Sequence, residues 1–234
     1  LAVYVSMQKD LAHSEAADVL SRSQAKARME LLVPVFKGWL TETAQDLTYD
    51  AVQVFGGMGF IEETGAAQYY RDARILTIYE GTTAIQANDL VGRKTQRDRG
   101  EAAFALIDDM IGDTATLGAI GHPGAQRLSS RLVDACNALR SAVDWIIGSQ
   151  ESALREIYAG SVPYLQLWGI VCGGWMHARR LQAAQRKEGA QLTAVVQSAS
   201  FYADHVLANA SALATTIREG GTSVLDFPDT AWLE

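Results

Sequence analysis

Apolar residues recur along this chain with the period of a helix. Across residues 1–20, Ala2, Val5, Leu11, Ala12 and Leu20 stand at roughly helical spacing, and Ser21 to Ser23 then interrupt, which predicts a first helix. A longer pattern over residues 24–55 carries Met29, Leu32, Val33, Phe36, Trp39, Leu40, Ala44, Leu47, Ala51 and Val54. Pro34 and Gly38 inside it predict a kink rather than two helices. It stops at Gly56-Gly57-Met58-Gly59, a predicted loop in which glycine permits positive φ and close backbone approach. A short helix over 65–74, an irregular connection over 75–81 and a helix over 83–95 follow. The polar run GRKTQRDRGE at 92–101 then predicts a domain boundary near residue 98, giving domains of residues 1–98 and 99–234. Beyond it, 102–117, 125–147, 151–187 and 192–218 read as four amphipathic helices. The third is expected to break at Pro163 and bend at Gly173-Gly174. Their punctuation is GHPG at 121–124, Gly148 and Glu188-Gly189, and the tail from Gly220 is turn-rich.

The predicted class is therefore all-α, and the 48% hydrophobic content over 234 residues is enough to bury a real core. A formal charge of -7, with no cationic cluster denser than Arg93-Lys94 and its neighbours, argues against a nucleic-acid footprint. Cys136 and Cys172 lie far apart, and His13, His122, His177 and His205 are scattered, so neither a disulfide framework nor a metal centre is expected. No apolar run is long enough to span a bilayer, and residues 1–20 lack the basic start and cleavage site of a signal peptide. A reducing, cytoplasmic location follows as the expectation. The chain starts at Leu1 in mid-helical pattern without an initiator Met, which suggests a missing upstream portion.

Two short stretches carry candidate chemistry. In IYEGTTAIQ, residues 78–86, Glu80 sits between an aromatic residue and a glycine just ahead of a helix start. Its local reading is a capping box of Thr83 and Gln86, with Glu80 favouring the positive end of the helix dipole. In QVFGGMGF, residues 53–60, the local reading is a helix C-cap and a turn. Neither is a dinucleotide fingerprint or a P-loop, and no GxSxG or HExxH occurs. Trp168, Trp175, Tyr164 and Tyr158 at helical spacing read as core or interface aromatics, and His177 as a helix-surface residue. Arg71, Asp72 and Arg74 read as ion-pair partners.

Taken jointly, the Gln-x-x-Gly-Gly-x-Gly loop, the Arg-Asp-Ala-Arg helix and Tyr-Glu-Gly-Thr before a helix closely resemble the C-terminal domain of the acyl-CoA dehydrogenases. The match covers roughly residues 1–95. The remainder is similar to the additional helical region of longer members, such as those that oxidise methylthio-propionyl thioesters. The resemblance implies a four-helix-bundle domain and, in the parent enzyme, oxidation of an acyl-CoA thioester to the trans-2-enoyl-CoA with FAD taking the β hydrogen as hydride. It implies Glu80 as general base, a role that burial against an apolar acyl chain would strengthen. Tyr79 and Gly81 are implied to face substrate, and Thr82 to touch the flavin. Gln53, Gly56 and Gly57 would meet the ADP part of FAD bound mainly by a neighbouring subunit. A homo-oligomer, dimer or tetramer, and an electron acceptor such as an electron-transfer flavoprotein follow from the same resemblance. The family's N-terminal helical and β domains have no counterpart here, and Ala84 stands where many relatives have a polar side chain, so this chain alone is not expected to turn over. The rival readings are a non-catalytic helical scaffold or partner subunit, and an acyl-CoA oxidase.

Overall fold

A computed structural model describes residues 1–184 and 190–232, and among them every regular element is helical. The chain runs α1 (Ala2–Ala12), α2 (Val19–Phe55), α3 (Gly57–Phe60), α4 (Ala66–Ala73), α5 (Thr83–Val91), α6 (Glu101–Thr114) and α7 (Pro123–Gly148). It continues with α8 (Leu154–Ala159), α9 (Ser161–Ala184), α10 (Ala190–His205), α11 (Ala210–Glu219) and α12 (Gly221–Leu225), with short 3-10 turns between several of them. The expected end of the third late helix at residue 187 and the Glu188-Gly189 break lie outside the described residues.

Several boundaries differ from expectation, each for a local reason. Ser21 to Ser23 do not interrupt a helix: Asp18 caps α2 by accepting from the Ser21 amide at 2.9 Å, so the serines form its first turn. The first helix accordingly ends at Ala12 rather than near Leu20. The 37-residue α2 then continues through Pro34 and Gly38. The triple-glycine stretch is a turn at Gly56 followed by the single helical turn α3. The break in the 151–187 pattern falls at Gly160, not Pro163, because proline in the first turn of α9 has no helical acceptor to lose. The 192–218 pattern is two helices, parted after His205 by a 3-10 turn. Part of the tail is helical as α12.

Buried residues from Tyr4 to Ile217 form one connected cluster, drawing Leu31, Leu32 and Val35 from α2, Leu90 from α5, Met110 from α6, Leu132 from α7 and Trp168 and Trp175 from α9. Fully burying each large apolar side chain stabilises by about 1.5–3 kcal/mol, so this shared core holds the helices together. Helix α9 seats the Trp39 side chain of α2 directly on Gly169, where a Cβ would lie 2.1 Å from Cγ of Trp39. Gly173 and Gly174, expected as a bend, are docking seats inside α9, where a Cβ would come within 2.0 Å of the Tyr202 hydroxyl and 2.8 Å of Leu207 respectively.

The polar run at 92–101 is ordered. Helix α5 continues into a π-helical turn, Gly92–Gln96, in which the Arg97 amide donates to the Gly92 carbonyl at 3.2 Å. Arg99 and Gly100 then take left-handed backbone conformations, φ 54° and 79°. Thr95 is buried in the π turn; its hydroxyl donates to the Leu90 carbonyl at 2.9 Å and lies 3.0 Å from the buried Tyr164 hydroxyl. Both cysteines are buried, and desolvation pushes the Cys136 thiol up to about 12 and raises Cys172 as well, which keeps them uncharged. His177 is not the surface residue expected. It is half-buried with its ring 4.7 Å from that of Tyr202, and burial, then the Arg180 charge, holds its pKa below the ordinary value. Among the described residues no helix is long and apolar enough to cross a membrane.

Candidate functional site

The segment bearing Glu80 is short and tightly turned. After α4 a 3-10 turn, Arg74–Thr77, leads to Ile78 and Tyr79, whose amides donate to the Ile75 carbonyl at 3.0 and 3.1 Å. Among the described residues Arg74 forms no ion pair; its guanidinium donates to the Thr77 hydroxyl. Arg71 does, with Glu62 at 2.9 Å and more distantly with Asp72 at 3.8 Å, both exposed.

Glu80 then takes φ 51° and Gly81 φ 95°. Positive φ suits glycine, but for glutamate it costs on the order of 1–2 kcal/mol. Such a conformation lasts only where the surroundings hold it. The turn leaves the Glu80 and Tyr79 side chains on the surface. A Cβ at Gly81 would lie 2.6 Å from Nε2 of Gln86, so the side chain of Gln86 occupies the space beside the turn.

Thr82, not Thr83, caps the next helix. Its hydroxyl oxygen accepts from the Ile85 amide at 3.4 Å, and its carbonyl takes the Gln86 amide at 3.0 Å. The expected Thr83–Gln86 capping box therefore does not form, and the cap lies one residue earlier, with Ile85 at the third helical position. The Thr83 hydroxyl is free of capping duty and donates to the Glu42 carboxylate of α2. Two more side chains of α2 reach the same segment. Lys37 donates to the Leu76 carbonyl at 2.5 Å, with its ammonium 4.9 Å from the Tyr79 ring centroid, and Gln45 Nε2 donates to the Ala73 carbonyl at 2.6 Å. These contacts escape a reading of the sequence, because each residue there is an ordinary polar position of an amphipathic helix. The one available signal is that 37, 41, 42 and 45 share a face.

The glycine turn is a separate station. The Gly56 amide donates to the Gln53 carbonyl at 3.0 Å, and the Gly59 amide to the Gly56 carbonyl at 2.9 Å. Gly56 has φ 60°, and Gly59 is fixed by packing, since a Cβ there would sit 2.4 Å from the Val52 carbonyl oxygen. Gly57 answers to neither cause: its conformation is helical, and nothing lies within 4 Å of where its Cβ would be. Side-chain-free, exposed backbone at Gly56 and Gly57, beside the exposed Gln53, leaves room for close approach by a group from outside the chain. The α2 side chains that touch the Glu80 segment, Lys37, Glu42 and Gln45, precede Gln53 by 16, 11 and 8 positions, or about 24, 16 and 12 Å at ~1.5 Å per residue. The two stations are thus too far apart to grip one small group.

Around the glycine turn lies a band of exposed apolar side chains, Val54, Phe55, Met58, Phe60, Tyr69 and Tyr70, and Ile75, Ile78, Tyr79 and Ile85 are exposed next to Glu80 in the chain. It borders an open cleft of about 620 Å³ lined by Val52, Gly59, Phe60, Ile61, Ala67 and Tyr70 among others. A concentrated patch of this kind marks a surface built to be covered.

Comparison with known proteins matches both halves of the chain. A family model described as acyl-CoA dehydrogenase, C-terminal domain, matches residues 6–94, and one described as acetyl-CoA dehydrogenase C-terminal like matches residues 104–228. The chain is 42% identical over 210 residues to 3-methylmercaptopropionyl-CoA dehydrogenase of Ruegeria pomeroyi, covering 88% of this chain and 36% of that protein. It is 32% identical over 207 residues to the broad-specificity linear acyl-CoA dehydrogenase FadE5 of Mycobacterium tuberculosis, covering 86% and 33%. With a butyryl-CoA dehydrogenase of Syntrophomonas wolfei the identity is 26% over 238 residues, covering 96% and 38%. The chain thus spans little more than a third of the length of these curated relatives, at 33–38%.

Proposed function

The chain belongs to the acyl-CoA dehydrogenase family and corresponds to its C-terminal helical region, and from that premise we propose that it supplies the general base, Glu80, to an enzyme that oxidises an acyl-CoA thioester to the trans-2-enoyl-CoA. The observation that carries this reading is the backbone at Glu80. A carboxylate held at φ 51° between Tyr79 and Gly81, exposed and free of any ion pair among the described residues, is placed to serve something other than this chain's own fold.

In the proposed step the Glu80 carboxylate takes the α proton of the thioester. Its exposure here means that the water-poor setting which makes a carboxylate a stronger base has to come from the acyl chain and from whatever covers the surrounding apolar band. Tyr79 and Gly81 flank the base, and the narrow Gly81 backbone lets substrate come close.

Bound FAD would supply the acceptor for the β hydrogen as hydride. The residues present fit such a group at two places. Thr82 uses only its oxygen lone pair in capping, which leaves the hydroxyl hydrogen to donate. Gly56 and Gly57 offer side-chain-free backbone to an ADP moiety, beside the exposed Gln53. The separation of about 12–24 Å along α2 between the side chains that meet the Glu80 segment and the glycine turn supports a cofactor at the glycine turn that belongs to a second copy of the enzyme, hence a homo-oligomer. An electron-transfer flavoprotein as acceptor, a cytoplasmic setting and a division of the chain near residue 98 belong to the same proposal.

The test is anaerobic addition of a thioester panel, including 3-methylmercaptopropionyl-CoA, butyryl-CoA and longer linear acyl-CoA, to the complete yellow enzyme. Bleaching of the flavin band by one of them is expected, and Glu80→Gln should slow that bleaching by about 10²–10⁴-fold with flavin still bound. Near-normal bleaching in Glu80→Gln would remove the base assignment. A complete enzyme that takes up no FAD would favour the scaffold reading.

A further inference from the structure

We propose that Lys37 and Glu42, assisted by Gln45, are positioning residues that hold the Glu80 carboxylate in its reactive place. The inference rests on Glu80 being the base. Each of the three side chains leaves one face of α2 and meets a different point of the Glu80 segment. Gln45 takes the carbonyl of Ala73 at 2.6 Å, Lys37 the carbonyl of Leu76 at 2.5 Å, and Glu42 the hydroxyl of Thr83. Lys37 also places its ammonium 4.9 Å from the Tyr79 ring centroid, directly before Glu80 in the chain. The contacts at 73, 76 and 79 precede the carboxylate and the one at 83 follows it, so the left-handed turn at Glu80 and Gly81 is fixed from both sides.

The use of charge supports this. Lys37 and Glu42 lie five positions apart on one helix and are half-buried, yet among the described residues neither forms an ion pair. Both are instead spent on neutral groups of the Glu80 segment. Half-buried charges that give up pairing for hydrogen bonds to a carbonyl and a hydroxyl make those bonds strong and directional. The helix supplying them is the longest among the described residues and is packed into the shared core through Leu31, Leu32 and Val35, so the tether is anchored on a rigid element.

The experiment compares Lys37→Met, Lys37→Arg, Thr83→Val and Thr83→Ser with the parent in the complete enzyme. It reads flavin content, thioester KM, the rate of flavin bleaching, and hydrogen exchange across residues 74–83. Displacing a reacting group by 1 Å costs about 100-fold. The Met and Val variants should therefore bleach about 10- to 100-fold more slowly, with flavin content and KM within about twofold of the parent. Exchange across 74–83 should rise in both, and Arg and Ser should recover most of the rate. Should Lys37→Met fail to fold, Thr83→Val, which deletes one hydroxyl at a helix start, decides alone. Unchanged bleaching in Thr83→Val beside an inactive Glu80→Gln overturns the positioning role and leaves the base intact. A rate loss matched by flavin loss also overturns it, showing a structural role alone. An active Glu80→Gln would instead remove the base reading, while the exchange data still report whether the tether exists.

Discussion

Replacing Gly169 by alanine tests how α2 and α9 are held together. In a free helix the change should help by about 1 kcal/mol, because alanine loses less conformational freedom than glycine. Here the added Cβ would lie 2.1 Å from Cγ and 2.4 Å from both Cδ1 and Cδ2 of Trp39. Carbon atoms pack best at about 3.5–4.0 Å, so the indole must retreat by roughly 1.4 Å or more. It has little room along α9, since its far edge already lies 3.2 Å from where a Cβ at Gly173 would be. Overpacking of this kind costs about 1–3 kcal/mol, and the hemmed ring puts Gly169→Ala at the upper end. The net loss is then about 2 kcal/mol, or a melting temperature lower by roughly 4–8 °C for a chain of this size. Gly112→Ala is the control, because nothing lies within 4 Å of its would-be Cβ. It should melt no lower than the parent. Thermal unfolding followed by helical circular dichroism measures all three, and in a Trp39→Ala background the cost of Gly169→Ala should vanish. A Gly169→Ala chain that melts at or above the parent would refute the close packing of these helices.

Two further outcomes follow from the same physics. Gly57→Ala should leave the melting temperature within about 1 °C, since the added methyl meets open space, while lowering FAD retention in the complete enzyme; equal losses of stability and flavin would show an internal role for this glycine instead. His177, whose pKa is held down by burial and by Arg180, binds its proton less readily folded than unfolded. Its contribution therefore leaves stability undiminished above the ordinary value of about 6.5 and reduces it as pH falls from there toward the lowered folded value. Urea titrations from pH 7.5 to 5 should show part of the acid-side loss disappearing in His177→Gln, and identical slopes in both proteins would count against the buried setting.

The helices were legible because their apolar faces repeat at the helical period, and that period survives even where a local breaker intrudes. Pro34 shows this, since it lies inside one unbroken helix whose buried face includes Leu31, Leu32 and Val35. Ends were harder. At Ser21 and Thr83 the polar residues that suggest a break or a cap are common, and which one caps depends on the backbone geometry of the residue before it, here Asp18 and Thr82. The split after His205 has no glycine or proline to announce it. At the candidate site, the chemistry-bearing residues were visible as a motif. The backbone that presents them was not, because the contacts that flank this glutamate at positive φ come from positions 37, 42 and 45, distant in sequence.

The π-helical turn at Gly92–Gln96 makes chain length itself carry information. Its amide from Arg97 reaches back five residues to Gly92 rather than four. Deleting a single residue there would let an ordinary helix form, with nothing lost in local hydrogen bonding. Every later residue of the run would then swing by about 100° around the axis. The hydroxyl of Thr95 would leave that of Tyr164, which is buried and whose own proton desolvation holds up to about 12. One missing amino acid, any of those from Gly92 to Lys94, would thus take the Thr95 hydroxyl away from a phenol in the core some 70 positions downstream.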